Sequence, residues 1–164
     1  MHAYNTVRQP MFDLITPKFH GDVVDVGAGM CILYPHIKDR VDSYTMADFT
    51  DKFCVESKKQ YPEITTHHAS ILDLPFDDNQ FDVSTAIAVL RHIRPKDMPK
   101  AISELTRVAK KTIIVWAITP QPRPAYVKPQ DGFVDVIHNV ADVTKAIDKT
   151  YSIQKVSRFT VYDI

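Results

Sequence analysis

Two acids and two glycines at fixed spacing carry the first sign of chemistry in this chain. Asp25 sits inside the apolar run Val23-Val24-Asp25-Val26, which leads directly into Gly27-Ala28-Gly29. Asp48 closes a second apolar run, Tyr44-Thr45-Met46-Ala47, with Phe49 beside it. A β-branched run that stops at Gly-x-Gly reads as a buried strand entering a tight turn, with a helix expected next. Glycines in such a turn accept positive φ and let a ligand come within contact distance of the main chain.

The same residues narrow the ligand. A dinucleotide fingerprint, G-x-G-x-x-G, needs a third glycine at position 32, where this chain has Ile32. Asp25 has the wrong sign beside a diphosphate but suits an ammonium group. No G-K-[ST] occurs, so a P-loop is excluded. Asp48 stands where an acid after the second strand accepts ribose hydroxyls, and Phe49 can lie against a purine face. The alternative for Asp48 is an N-cap role for the helix that follows. A ligand with ribose and adenine, no phosphate and an amino-acid tail is S-adenosylmethionine.

The elements that must position these residues alternate. Strands are expected over 22–26, 43–47, 64–68, 81–87 and 112–118, with helices over 32–39, 51–60 and 96–109. A short helix over 7–15 precedes them and puts Tyr4 and Arg8, four apart, on one face as a flap over the turn. Pro120, Pro122, Pro124 and Pro129 make 119–130 a loop, and 119–139 as a whole is the expected substrate side. A helix over 142–148 and two strands, 151–156 and 159–164, finish the chain. The link between those strands is too short for a crossover, so they pair antiparallel. The expected fold is α/β: a Rossmann-like, doubly wound, mostly parallel sheet of seven strands ending in an antiparallel hairpin.

Composition sets outer limits. The 164 residues fit one domain, 1–164, with a sufficient core. A formal net charge of zero gives no global field for nucleic acid or an anionic membrane. Cys31 and Cys54 have no metal-ligand spacing and read as free thiols of a cytoplasmic protein. No run approaches bilayer length.

In this order the motifs resemble a class I S-adenosylmethionine-dependent methyltransferase of the small, single-domain, type 11-like kind. Val24 to Gly29 resembles the family's first motif and Tyr44 to Asp48 its second. Leu74-Pro75-Phe76 through Val83 resembles the approach to strand four, Val89 to Ile93 the segment after it, and Glu104 to Val108 the helix before strand five. The resemblance implies cofactor contacts from Asp25, Gly27, Ala28, Gly29, Asp48, Phe49, Ser70, Ile71 and Ala86, with Tyr4 and Arg8 from the flap. Ser70 stands where many relatives carry an acid for the adenine amino group, and Cys31 where many carry a third glycine. Lys110-Lys111 replaces a glycine-rich hairpin, a change expected to affect only a turn.

Methyl transfer from a sulfonium is an in-line displacement in which the protein chiefly orients the nucleophile, with a base needed only for a protonated acceptor. His92 and His138 are the candidate bases, each with an ordinary structural reading as a turn or cap residue. No metal site is expected. Two alternatives stay open: a cofactor-binding regulatory or partner-dependent module without catalysis of its own, and aminopropyl transfer, which the absence of an acid in 86–90 disfavours. With no separate lid domain, the pocket suits a bulky acceptor, or completion by a second copy or a partner subunit.

Overall fold

In the computed structural model the described residues are 2–117, 127–130, 133–136, 140–147, 149–156 and 159–164; side chains are not described for 2–7, 117, 127–130, 133–136, 140–142 and 155–156. The chain opens with α1 (His2–Ile15), then β1 (Asp22–Val26), α2 (Tyr34–Ile37), β2 (Ser43–Asp48), α3 (Asp51–Gln60), β3 (Thr65–His68), β4 (Phe81–Ile87), α4 (Met98–Arg107) and β5 (Ala109–Ala117). It continues with β6 (Val127–Gln130), β7 (Phe133–Val136), α5 (Val140–Ala146), β8 (Ser152–Val156) and β9 (Phe159–Asp163).

Seven strands form one sheet in the order β3-β2-β1-β4-β5-β9-β8. The first five run parallel, and β9 pairs antiparallel with both β5 and β8. β1 is central, so its carboxyl end, and the turn that follows, lie at the point where strand order reverses. That crevice is where open α/β sheets bind ligands. Alternate residues of the strands feed two cores. Tyr44, Met46, Ile113 and Val115 pack with Met11, Phe12 and Ile15 of α1. Ala47, Ile114 and Trp116 pack with Met98, Ile102 and Leu105 of α4 on the other side.

Several element boundaries differ from expectation, each for a local reason. α1 starts at His2 rather than at 7 and runs through Pro10; burial of Met11, Phe12 and Ile15 outweighs the backbone bond that proline gives up. The helix expected over 32–39 shrinks to the single turn Tyr34–Ile37. Cys31 has φ +52, and the stretch closes on three-residue bonds, Cys31 N–H to Ala28 O at 2.9 Å and Tyr34 N–H to Cys31 O at 3.1 Å. β5 begins at Ala109, so Lys110 and Lys111 lie in the strand and not in a turn. Their ammonium groups are held by Asp82 at 2.8 Å and Asp163 at 3.2 Å on flanking strands. The proline-rich stretch is not loop throughout: β6 contains Pro129 and pairs antiparallel with β7. A two-stranded ribbon leaves outward N–H positions unused, which is where proline is admitted.

A part-buried ion-pair network anchors the segment between β3 and β4. Glu104 is buried, and its Oε2 accepts the Leu74 N–H at 2.9 Å and the Arg107 guanidinium at 2.8 Å. Arg107 also donates to the carbonyls of Phe76 at 2.7 Å and Leu74 at 3.1 Å. Hydrogen bonds from Arg107 hold the Glu104 carboxyl down at about 2. Its stabilising contribution is therefore complete above the usual glutamate range and fades as pH falls toward about 2. Glu104→Gln is expected to lower unfolding free energy by about 1–3 kcal/mol at neutral pH, and urea titration should show the difference from the parent shrinking as the solution is acidified.

Candidate functional site

The turn after β1 is held by its neighbours on every side. The Gly27 N–H donates to the Ala47 carbonyl at 2.6 Å, which ties the turn to β2. The Gly29 N–H donates to Asp48 Oδ2 at 2.9 Å, and the Thr50 N–H donates to Asp48 Oδ1 at 2.8 Å. Asp48 is buried at the end of β2. Each carboxylate oxygen keeps a lone pair beyond these bonds, so the group can still accept hydroxyls from the open side. The N-cap reading of Asp48 is met in part, because the Thr50 bond lies just before α3.

The two glycines serve different ends. Gly27 has φ +71, and a Cβ there would lie 2.4 Å from Val89 Cγ2. Gly29 has φ +55, and a Cβ there would meet no atom within 4 Å. Val89 therefore closes over Gly27, while Gly29 turns a bare face to open space.

Beside the turn is a cavity of about 630 Å³, within the range of roughly 300–1,000 Å³ typical of cofactor and ligand sites. Gly27, Gly29, Asp48, Phe49, Ser70 and Ile71 all line it, together with Thr50, Val89, His92 and Ile93. Phe49 is 75% exposed at the rim, with its carbonyl accepting the His68 Nε2–H at 2.8 Å. The Ser70 hydroxyl accepts the Leu72 N–H at 3.1 Å and so shapes the Ser70–Asp73 turn while lining the cavity. Ala86 does not reach the cavity; it is fully buried in the core, and Ile87 and Ala88 line the wall instead. Ala88 takes φ +60 just after β4 ends at Ile87, the expected end of that strand.

A second cavity of about 340 Å³ is lined by Arg8, Asp25, Ala28, Met30 and Ile32 and shares Gly27, Gly29 and Ile87 with the first. Asp25 is 2% exposed and accepts the Tyr44 hydroxyl at 2.6 Å. Burial pushes its carboxyl up to about 7, against the lowering effect of Tyr44 and with the Asp48 charge adding to the rise. The acid assigned to an ammonium group is thus poised between neutral and charged forms, and a cation placed against it would favour the charged one. Arg8 shares this cavity, whereas the side chain of Tyr4 and the whole of His138 lie outside the described residues. Trp116 is buried core, and the His67 ring packs edge-on to Phe76 at 5.0 Å. Among the described residues no cluster of three or more metal-ligating side chains occurs.

Three contributors escaped the sequence. Tyr44 is two and four residues before Met46 and Asp48, so strand alternation puts all three on one face. Val89 carries no distinguishing signal. Ser57 follows Cys54 by three in an otherwise exposed helix, a spacing that marks the buried face.

Gly27→Ala is expected to destabilise the fold more than Gly29→Ala, since both meet the left-handed penalty of about 1–2 kcal/mol and only the first also clashes with Val89; denaturant midpoints measure the difference. Asp25 binds its proton more tightly folded than unfolded, so stability should fall as pH rises from about 4 to about 7, with a slope of at most roughly 1.4 kcal/mol per pH unit. Asp25→Asn should flatten that slope in unfolding curves taken across the same pH range.

The chain matches a family model described as a methyltransferase domain over residues 24–116, more than half its length. A 56-residue stretch is 50% identical to 2-phytyl-1,4-naphtoquinone methyltransferase of Nostoc punctiforme, covering 33% of this chain and 24% of that protein. The chain thus spans about a quarter of the curated relative's length. The solved PH0226 protein from Pyrococcus horikoshii shares the fold with a TM-score of 0.79 at 16% identity, over 98% of this chain and 89% of its own. Magnesium protoporphyrin IX methyltransferase from Synechocystis, solved with bound S-adenosylmethionine, superposes with a TM-score of 0.70 at 17% identity, over 98% of this chain and 81% of that one. The strand order, the closing antiparallel pair and the family match across the glycine turn together make this chain a member of the S-adenosylmethionine-dependent methyltransferase family, with its class I fold.

Proposed function

We propose that this protein transfers a methyl group from S-adenosylmethionine to an acceptor by in-line displacement. The observation that carries the reading is the Asp48 carboxylate, fixed between the Gly29 and Thr50 N–H groups while it lines the cavity. The donor set fits the cofactor. Asp48 accepts ribose hydroxyls, Phe49 covers one face of the adenine, and Ser70 and Ile71 meet its edge. Asp25 and Arg8, in the second cavity, take the ammonium and carboxylate of the amino-acid end, with Ala28 lining that cavity and Gly27 and Gly29 lining both.

The bound cofactor supplies an activated methyl carbon on a sulfonium. The remaining work falls to the chain: holding that carbon in line with the acceptor's lone pair and keeping water out. Leu72, Val89 and Ile93 give the cavity apolar walls. His92, on the same wall, is the candidate base for an acceptor that carries a proton. Asp48 is the one carboxylate among the described lining residues of the main cavity, which counts against a carboxylate-pair amine transfer.

Strands drawn from residues 22 to 163 into one sheet support a single methyltransferase-like domain over 1–164. Two free thiols support a reducing, cytoplasmic setting. No helix among the described residues is long and apolar enough to cross a membrane.

Calorimetry with S-adenosylmethionine and S-adenosylhomocysteine tests the reading, and absence of binding by both would overturn it. Asp48→Ala is expected to weaken binding by about 10- to 100-fold, the value of hydrogen bonds to a charged acceptor.

A further inference from the structure

One polar side chain near the turn lines neither cavity. Ser57 lies in the middle of α3 and is fully buried, although most of that helix is exposed. A serine in a helix commonly bonds back to its own preceding turn. Here the hydroxyl leaves the helix and donates to the Gly29 carbonyl at 3.0 Å. The other end of the same residue, the Gly29 N–H, is the donor to Asp48 Oδ2 at 2.9 Å. Gly29 is therefore gripped at both of its polar groups, by α3 on one side and by the end of β2 on the other.

The consequence is directional. With φ +55 and no side chain, Gly29 has backbone conformations open to it that other residues lack. The two bonds select one of them. They point the N–H and C=O at protein partners and leave the Cα face toward the space in which an added Cβ would meet nothing. Gly29 is among the residues that line both cavities. Release of the carbonyl would also free the N–H to leave Asp48, and the carboxylate would lose the donor that fixes the rotation of its Oδ2.

We propose that Ser57 is a positioning residue for the cofactor: by holding the Gly29 carbonyl it keeps the turn open toward both cavities and keeps Asp48 aimed at the ribose. This rests on the cofactor reading given above. Ser57 touches no cofactor atom and acts through Gly29. Its contribution is accordingly to affinity, exerted on the free protein before binding, as preorganisation of a glycine turn that otherwise samples several states.

The test compares the wild type with Ser57→Ala, which deletes the donor, and Ser57→Cys, which keeps the bulk with a weaker donor. S-adenosylhomocysteine is the calorimetric probe, and the amide proton of Gly29 is followed by nuclear magnetic resonance in the free protein. The alanine variant is expected to raise Kd by about tenfold, the value of one hydrogen bond, with the cysteine variant between it and the wild type. The Gly29 resonance should move upfield in the alanine variant as its bond to Asp48 loosens. A purely structural serine would leave that resonance where it is once the variant is folded. Binding by Ser57→Ala within about twofold of the wild type, or an unmoved Gly29 resonance, overturns the proposal. A wild type that binds no probe while the resonance still shifts overturns the cofactor reading, and reduces Ser57 to a tether of the turn.

Discussion

The geometry of the site depends on one carboxylate that bonds in two directions. Asp48 ends β2 and receives an N–H from the turn after β1 and another from the start of α3. Three segments that are separate in sequence are thereby fixed against one another at a single group. Bonds to an ionised acceptor are about twice as strong as those between neutral groups, which suits them to holding a glycine turn with few internal restraints. The parallel pairing of β1 with β2 makes the arrangement possible, because it brings the carboxyl ends of both strands to the same edge.

A second acid lies close by in a different electrostatic setting. Asp25 is enclosed, bonded to Tyr44, and pushed up by burial and by the Asp48 charge. Two neighbouring carboxyl groups thus differ in setting: one is held by backbone donors, and the other is enclosed and bonded to a tyrosine hydroxyl. The difference comes from environment, since the residue type is the same. Tyr44 is part of that environment, and its own hydroxyl is raised well above the usual tyrosine range by burial and by Asp25.

The wall opposite the turn is set by β4 and the segment beyond it. Ala88 takes a left-handed conformation and its N–H bonds to Val115 at 2.8 Å, so the chain leaves the sheet sharply. Val89 then falls onto Gly27, and a short 3-10 turn over Leu90–His92 brings His92 to the cavity. The Glu104–Arg107 network secures the neighbouring segment that carries Leu74 and Phe76 and, upstream, Ser70 and Ile71. Ion pairs of this kind contribute most when both partners are also bonded to backbone, as these are.

Hydrophobic alternation and glycine spacing determined most of the architecture directly from the sequence. Strand-forming runs separated by helical ones admit few arrangements once crossovers are right-handed, and Asp25, Gly27, Gly29 and Asp48, singled out by type and spacing alone, all line cavities beside the turn. Local chemistry was less decisive at boundaries, where Pro10 stays inside a helix and Lys110 and Lys111 enter a strand because distant partners hold them. Only the tertiary structure decided that Ala86 is core while Ala88 is wall, that Val89 covers Gly27, and that burial pushes the Asp25 carboxyl up. It alone brought the Ser57 hydroxyl to Gly29. The physical reason is the same in each case: these properties belong to contacts between segments far apart in the chain. Periodicity and propensity report the near neighbours along a sequence, whereas burial, field and hydrogen-bond partners are set by whatever folds against them.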